Sequence, residues 1–307
     1  MFIRPYTPSD AIAFIALLQR QENDLVTLES FTKTEARRET STDFWRVVLE
    51  ENSEIVGYAQ LSMRPSTPIG WRDMEVIVKK DAENCGYGGR LLEAVEHQVK
   101  QQHLIGLETS VRDTNTSSSV WLEKRGFVFD FHRFESELHL PEFEESQFFN
   151  AVARAESHGI RFATRADFMN QASLQTLHKL DNQLFLDTPD ALGRTPLSFE
   201  RFQKLVAENP QVTPESIIIA LDRDAFIGMT IMLRENDAFY TGMTGVTREY
   251  RNKGIALALK VLGIQYAIRS GAIRMTTHNH SRNAPMIAVN QKLGYKQRSG
   301  FWVFKRQ

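Results

Sequence analysis

The sequence predicts a mixed α/β fold written twice along one chain, and three observations lead there. Its 307 residues exceed what one hydrophobic core ordinarily fills, since cores stop growing near roughly 250 to 300 residues. Short patterns recur at matched spacings in the two halves. Apolar residues follow a strand period and then a helix period in the same order in each half.

The recurrences are specific. Ile3-Arg4-x-x-Thr7-x-x-Asp10 returns as Ile160-Arg161-x-x-Thr164-x-x-Asp167, each an extended stretch running into a helix N-cap with an acid in the first turn. Glu54-Ile55-Val56-Gly57-Tyr58 is answered by Ala225-Phe226-Ile227-Gly228-Met229, both placed at a hairpin leading into an apolar strand. Gly86-Tyr87-Gly88 and Gly254-Ile255-Ala256 each open a helix. A second glycine followed by an aromatic, Gly126-Phe127 or Gly294-Tyr295, stands 40 residues after the first, and Asn115 or Asn283 precedes that second glycine by 11.

Periodicity then assigns the elements in order. In the first half a strand near 2–5 precedes helices near 8–21 and 30–38, and strands follow near 44–50, 55–63 and 71–78. Asn52-Ser53 and Pro65-Ser66-Thr67-Pro68 supply the turns between those strands. Leu91, Leu92, Val95 and Val99 share one helical face; a strand near 105–111, a helix near 116–125 and a strand near 127–139 complete the half. The second half repeats this: strand 160–163, helices near 165–182 and 198–208, and strands near 216–221, 226–233 and 239–246. Helix 254–270, strand 272–277, helix 282–292 and strand 296–305 follow. The predicted domains are 1–140 and 159–307, joined over 141–158 by a helix whose Phe143, Phe148, Phe149 and Val152 pack against a core.

Composition narrows the function. With 42% apolar and 24% charged residues the chain is expected to be globular, neither disordered nor membrane-spanning, and no apolar run approaches the roughly 20 residues of a span. One cysteine, Cys85, excludes an internal disulfide, so the expected location is the cytoplasm. No interleaved basic and aromatic cluster of the nucleic-acid-binding kind occurs. The formal net charge of -1 conceals an asymmetry: residues 1–157 carry 17 Lys/Arg against 26 Asp/Glu, whereas 158–307 carry 20 against 12.

The segment Val246-Thr247-Arg248-Glu249-Tyr250-Arg251-Asn252-Lys253-Gly254-Ile255-Ala256 leads from a strand into a helix. Backbone N–H groups and the positive end of the helix dipole make such a junction an anion site, and Arg251 and Lys253 add charge. Close helix–sheet packing is the alternative reason for small residues at 254 and 256. The pattern is neither a P-loop nor a dinucleotide fingerprint.

Arg251-Asn252-Lys253-Gly254-Ile255-Ala256, then Thr277-His278-Asn279, Asn283 and Met286-x-x-x-Asn290-x-Lys292-Leu293-Gly294-Tyr295, resembles the Gcn5-related N-acetyltransferases. The resemblance covers both halves and implies two tandem domains of that family, with acetyl-CoA as co-substrate and a small-molecule primary amine as acceptor; no metal is expected. It implies that the cofactor diphosphate rests on the backbone of Arg251, Asn252, Lys253, Gly254, Ile255 and Ala256. It also implies that Thr244, Gly245 and Val246 pair with the pantetheine arm, that Asn283 and Asn290 contact the cofactor, and that the N–H at or near Val246 holds the developing oxyanion. In the first half Glu83 stands where the family has Arg or Gln, which disfavours a diphosphate by about 1 kcal/mol or more. That half is therefore expected to be a degenerate copy, and the basic second half to carry the cofactor; drift of surface composition is the other account of the charge split.

Catalytic side chains are harder to place. The family's usual acid, a tyrosine four residues before the second glycine, is replaced by Asn290, and by Leu122 in the first half. Asn290 can donate a hydrogen bond to sulfur but cannot release a proton near neutral pH, so either the thiolate leaves stabilised by hydrogen bonds and takes its proton from water, or Tyr250 or Tyr295 acts as a substitute. The glutamate that histone-type relatives use as base is replaced by Tyr240, or by Arg72 in the first half. Asp187 is either a base or a helix-terminating turn residue, and Glu235 and Asp237 read as hairpin acids. His278 and His280 alternate as two metal ligands would, with no third in evidence. Cys85 reads as a redox thiol or a small buried filler, and Trp121 as core. Leu192-Gly193-Arg194-Thr195-Pro196, in the segment that shapes acceptor sites, carries no readable chemical code. Without the usual side chains, a non-catalytic acyl-CoA-binding protein is the competing class.

Overall fold

The computed structural model describes residues 1–18, 27–38, 44–63, 67–191 and 194–307. The helix end expected at 19–21, the turn residues Pro65-Ser66, and Leu192-Gly193 fall outside them. In chain order the elements of the first half are β1 (Phe2–Pro5), α1 (Ala11–Leu18), α2 (Leu28–Arg38), β2 (Trp45–Glu51), β3 (Glu54–Ser62) and β4 (Trp71–Val78). These are followed by α3 (Tyr87–Gln101), β5 (Gly106–Arg112), α4 (Thr116–Glu123) and β6 (Val128–His139). After α5 (Phe149–Glu156) come β7 (Ile160–Thr164), α6 (Gln171–Leu186), the short α7 (Phe199–Phe202), β8 (Ile217–Asp222), β9 (Ala225–Glu235) and β10 (Ala238–Val246). The chain continues through α8 (Ile255–Arg269), β11 (Arg274–His280), α9 (Ala284–Lys292) and β12 (Lys296–Arg306). The order is the one the periodicity predicts, with a π turn at Gln203–Ala207 where a continuous helix was expected.

Two contact units divide the chain: Met1–Val111 with Thr116–Asp130 and Val303–Gln307, and Arg112–Asn115 with Phe131–Trp302. In the first, antiparallel β1-β2-β3-β4 continues through parallel β5 to the end of β12. Phe14, Ile15, Leu17 and Phe31 of α1 and α2 pack on Val48 and Tyr58, while Leu91, Leu92 and Val95 of α3 are buried as their common helical face requires. Asn52 and Ser53, with φ of 50° and 64°, form the β2–β3 turn read from the sequence.

In the second unit β6-β11-β10-β9-β8-β7 lie in order, β6 being antiparallel to β11 and β10 parallel to it. The strand period sorts side chains to two faces. Ile217, Ile219 and Leu221 join Leu177, Leu180 and Leu184 of α6. Ile218 and Ala220 join Leu259 and Ile264 of α8. Both Thr-x-x-Asp motifs are capping boxes, Thr7 with Asp10 and Thr164 with Asp167, on 3-10 turns that precede the helices. Phe143 and Phe148 stack at 5.3 Å as the connecting segment reaches the core. Phe149, expected to pack there, is 83% exposed, because the turn at Glu145–Phe148 rotates it outward. Among the described residues no helix is long and apolar enough to cross a membrane.

Candidate active site

The site of the second unit begins with two strands that part. β10 pairs with β11 only at Ala238, Tyr240 and the residue between them, Phe239, opposite Arg274, Thr276 and Met275, yet it follows β9 as far as Val246. From Thr241 onward its β11-side edge has no ladder partner among the described residues. Thr247 donates its N–H to Ile227 O at 2.9 Å, so alternation turns the N–H groups of Thr244 and Val246 away from β9, to the open edge. Gly228 permits the arrangement, since a Cβ there would lie 2.9 Å from Gly245 O. Gly245 itself is covered by Leu184 of α6, and Thr244 Oγ1 meets Thr230 Oγ1 at 2.8 Å. The first unit repeats the device: β4 pairs with β5 only over Trp71–Asp73, Lys79 N–H bonds Val56 O at 2.8 Å, and a Cβ on Gly57 would lie 2.7 Å from Ile77 O.

Beyond Val246 the chain makes a 3-10 turn over Arg248–Tyr250 and enters α8 through two left-handed residues, Asn252 at φ 64° and Gly254 at φ 77°. Gly254 is the N-cap without a side-chain cap, leaving the first-turn N–H groups of Ile255 and Ala256 directed out of the helix. Lys253 Nζ stands 4.8 Å over the Tyr250 ring. Arg251 folds back, its Nε donating to Val246 O at 3.1 Å and its Nη2 to Asp187 Oδ2 at 2.6 Å. Arg248 Nε donates to the other oxygen of Asp187 at 2.7 Å. In the first unit the same backbone appears, with Asn84 at φ 63° and Gly86 at φ 85°, but Glu83 replaces the arginine. Cys85 there is exposed and not a buried filler, because the left-handed turn lifts it off the core.

Asp187 ends α6 as its C-cap. The hydrogen bond from Arg248, then the charges of both arginines, hold its carboxyl below the ordinary carboxylate range against the opposing effect of burial, so it is a poor base. It borders a cavity of about 530 Å³ lined by Lys179, Asn182, Gln183, Leu186, Asp187 and Arg248.

Below the open edge lies a buried polar chain. Asn290, 2% exposed, donates from Nδ2 to Asn279 Oδ1 at 2.8 Å, and Asn279 donates to Ser136 Oγ at 2.8 Å. The amide expected to donate to a departing thiolate is thus committed to Asn279, while Asn290 Oδ1 is buried without a hydrogen-bond partner among the described residues. Asn283 caps α9, accepting from Met286 N at 3.4 Å. Neither substitute acid is poised: Tyr250 donates to Asp222 at 2.5 Å, which raises its pKa, and Tyr295 is raised further by burial. Lys260 on α8, 4% exposed and without a hydrogen-bond partner at Nζ among the described residues, stands 4.9 Å over the Tyr295 ring.

His278 and His280 do share a side of β11, but their roles diverge. His280 is buried, stacked on Phe131 at 3.8 Å with Nδ1 accepting from Arg282 N–H, while His278 meets Tyr240. Among the described residues no three His, Cys, Asp or Glu side chains gather as a metal site. Trp121 is partly buried against Gly88, its indole stacked under Arg125 at 4.0 Å. The ion pairs of Asp187 join residues far apart in the chain, and no local sequence signal marks them.

Two strands that diverge over a glycine-opened helix, present in both units, define an acyl-CoA-dependent transferase fold. The acetyltransferase (GNAT) family model matches residues 12–127 and 177–295, and the chain belongs to that family as a tandem member. The family takes its acetyl group from acetyl-CoA. A GCN5-related N-acetyltransferase from Sphaerobacter thermophilus is similar over 99% of this chain and 95% of that one, at 19% identity and TM-score 0.68. A tandem GNAT protein from the clavulanic acid biosynthesis pathway is similar over 99% and 98%, at 15% identity and TM-score 0.65. A glucosamine N-acetyltransferase region of a fungal multi-domain GH3 β-N-acetylglucosaminidase aligns with 99% of this chain and 38% of that one, at 13% identity and TM-score 0.72. At these identities the likeness is one of fold. No curated protein matches the sequence significantly.

Proposed function

We propose that the chain acetylates a small-molecule primary amine from acetyl-CoA, and that the transfer takes place in the second half, residues 159–307. The observation that carries this reading is the open edge of β10 running into a cationic, left-handed loop at the start of α8. Acetyl-CoA supplies an activated acetyl group. The N–H groups of Thr244 and Val246 face the side where the pantetheine arm would pair, and either can hold the oxyanion; Gly245 keeps the strand close to Leu184. Arg251, Asn252, Lys253, Gly254, Ile255 and Ala256 surround the diphosphate position, with Arg251 turning from Asp187 to the phosphate oxygens. Asn283 fixes the start of α9, and Asn290 lies at the inner end of the polar chain beside the cofactor. The first half keeps the backbone geometry but presents Glu83 to the same position, and it acts as a support with weak or no acetyl-CoA binding.

A second reading, acyl-CoA binding without turnover, draws on the committed amide of Asn290 and the paired hydroxyl of Tyr250. Thiol release from acetyl-CoA across primary amines, aminoglycosides, amino acids and peptide N-termini decides between them. Turnover on one class supports transfer, whereas binding with no release on any class supports the second reading. Calorimetry on Arg251→Glu locates the cofactor: loss of binding is expected, and a full-affinity site surviving in the variant would place it in the first half.

A further inference from the structure

Tyr240 occupies the last rung that β10 shares with β11, opposite Thr276, at the fork where the strands part. Phe239 and Met275 on these strands belong to the core under α8, so alternation sends Tyr240 and His278 to the other face, the face covered by α6. There the Tyr240 hydroxyl lies 3.3 Å from Nδ1 of His278, with ring centroids 5.5 Å apart. Across the antiparallel ladder from His278 stands Glu135, whose carboxylate forms no hydrogen bond or ion pair among the described residues. Three adjacent strands therefore carry Tyr, His and Glu in a row beside the open edge of β10.

We propose that Tyr240, His278 and Glu135 form a proton relay for the transfer: Tyr240 meets the acceptor amine, His278 Nδ1 receives the proton, and Glu135 balances the imidazolium. This rests on the reading that amine acetylation takes place in the second half. As the amine nitrogen bonds to the thioester carbonyl carbon, the C–S bond breaks and its electron pair leaves on sulfur. The amine proton passes to Tyr240 Oη while the hydroxyl proton moves to His278 Nδ1 and from there to solvent; the thiolate is protonated by water.

The charges around the row suit that task. Glu135 on β6 and Glu235 on β9 favour the imidazolium, and Arg133 on β6 opposes it. Although one edge of His278 is open to solvent, desolvation by the surrounding protein is the largest effect and lowers its pKa, so the ring is neutral and able to accept at pH 7. Desolvation, with Glu235, Asp190 and Glu135 nearby, raises the Tyr240 hydroxyl, which stays protonated and passes a proton without ionising.

The test uses the full chain, acetyl-CoA and the primary amine that gives the fastest thiol release. His278→Gln should lower kcat by roughly a hundredfold or more and abolish the acidic limb of the kcat profile, with acetyl-CoA affinity unchanged. Glu135→Gln should move that limb to lower pH. Tyr240→Phe should lower kcat, and by removing a donor to the neutral ring should raise the pKa of His278, read by histidine NMR with the resonance assigned from its loss in His278→Gln. A limb that survives in His278→Gln, or a kcat within twofold of the parent, overturns the relay while the acetylation reading stands. Absence of turnover by the parent on every amine class overturns both.

Discussion

Arg251 and Asp187 are joined at 2.6 Å across 64 residues of chain, so the residue nearest the expected diphosphate is held by the carboxylate that ends α6. Because Arg248 grips the same carboxylate, the pairing neutralises one charge at the proposed diphosphate position. The end of α6 and the loop that enters α8 thus share one electrostatic partner.

Asp187→Asn is accordingly expected to tighten acetyl-CoA binding by about twofold to fivefold, the equivalent of one surface ion pair released, measured by calorimetry. The parent should lose stability relative to the variant as pH falls below the carboxylate range. The folded pKa of Asp187 is depressed, so its contribution is present above pH 3.8 and vanishes as the group protonates.

Lys260→Met should stabilise the protein. Burial pushes the ammonium of Lys260 down from 10.5 to about 7. Between those values the unfolded chain binds the extra proton, so parental stability rises with pH across the window and is flat below it. At pH 7 the gain from the substitution should be on the order of 4 kcal/mol, and denaturant titrations should show the difference between parent and variant shrinking to under about 1 kcal/mol at pH 10.

Asp181 on α6 shows the opposite slope. Desolvation raises this buried carboxyl from 3.8 to about 6, against a weaker pull from His178. The folded state binds the extra proton in that interval, so stability falls as pH rises from 4 to 6. Asp181→Asn should flatten the dependence and add about 2 kcal/mol at pH 7.

Gly228→Ala should cost about 1–3 kcal/mol, because the added methyl lies 2.9 Å from Gly245 O and 3.2 Å from the Val246 side chain. Relief requires β10 to move, so acetyl-CoA affinity should fall with stability. Gly271→Ala, at a positive φ of 71° but with open space around it, should destabilise without changing affinity.

Much of this was legible in the sequence. Hydrophobic period and turn residues fix the elements, and the repeated glycine and asparagine spacings fix the loops, because these signals act over a few residues. The parting of β10 from β11 was not legible, since a strand's period records which face is buried and not which neighbour it leaves. The same limit hid the Asp187 pairs, the commitment of Asn290 to Asn279 and the alignment of Tyr240, His278 and Glu135, each of which depends on residues brought together from separate elements. Cys85 and Phe149 were misplaced because one backbone turn decides whether a small or apolar side chain faces in.

The split of β12 ties assembly to synthesis. Its residues 296–302 belong to the second unit, whereas Val303–Gln307 belong to the first, where Arg306 binds Glu96 and the carbonyl of Arg125. A ribosome therefore has to translate the whole second unit before the first can close its sheet. The N-terminal unit, made first, finishes no earlier than the rest, and a nascent chain halted midway would display an uncovered strand edge for a chaperone to hold.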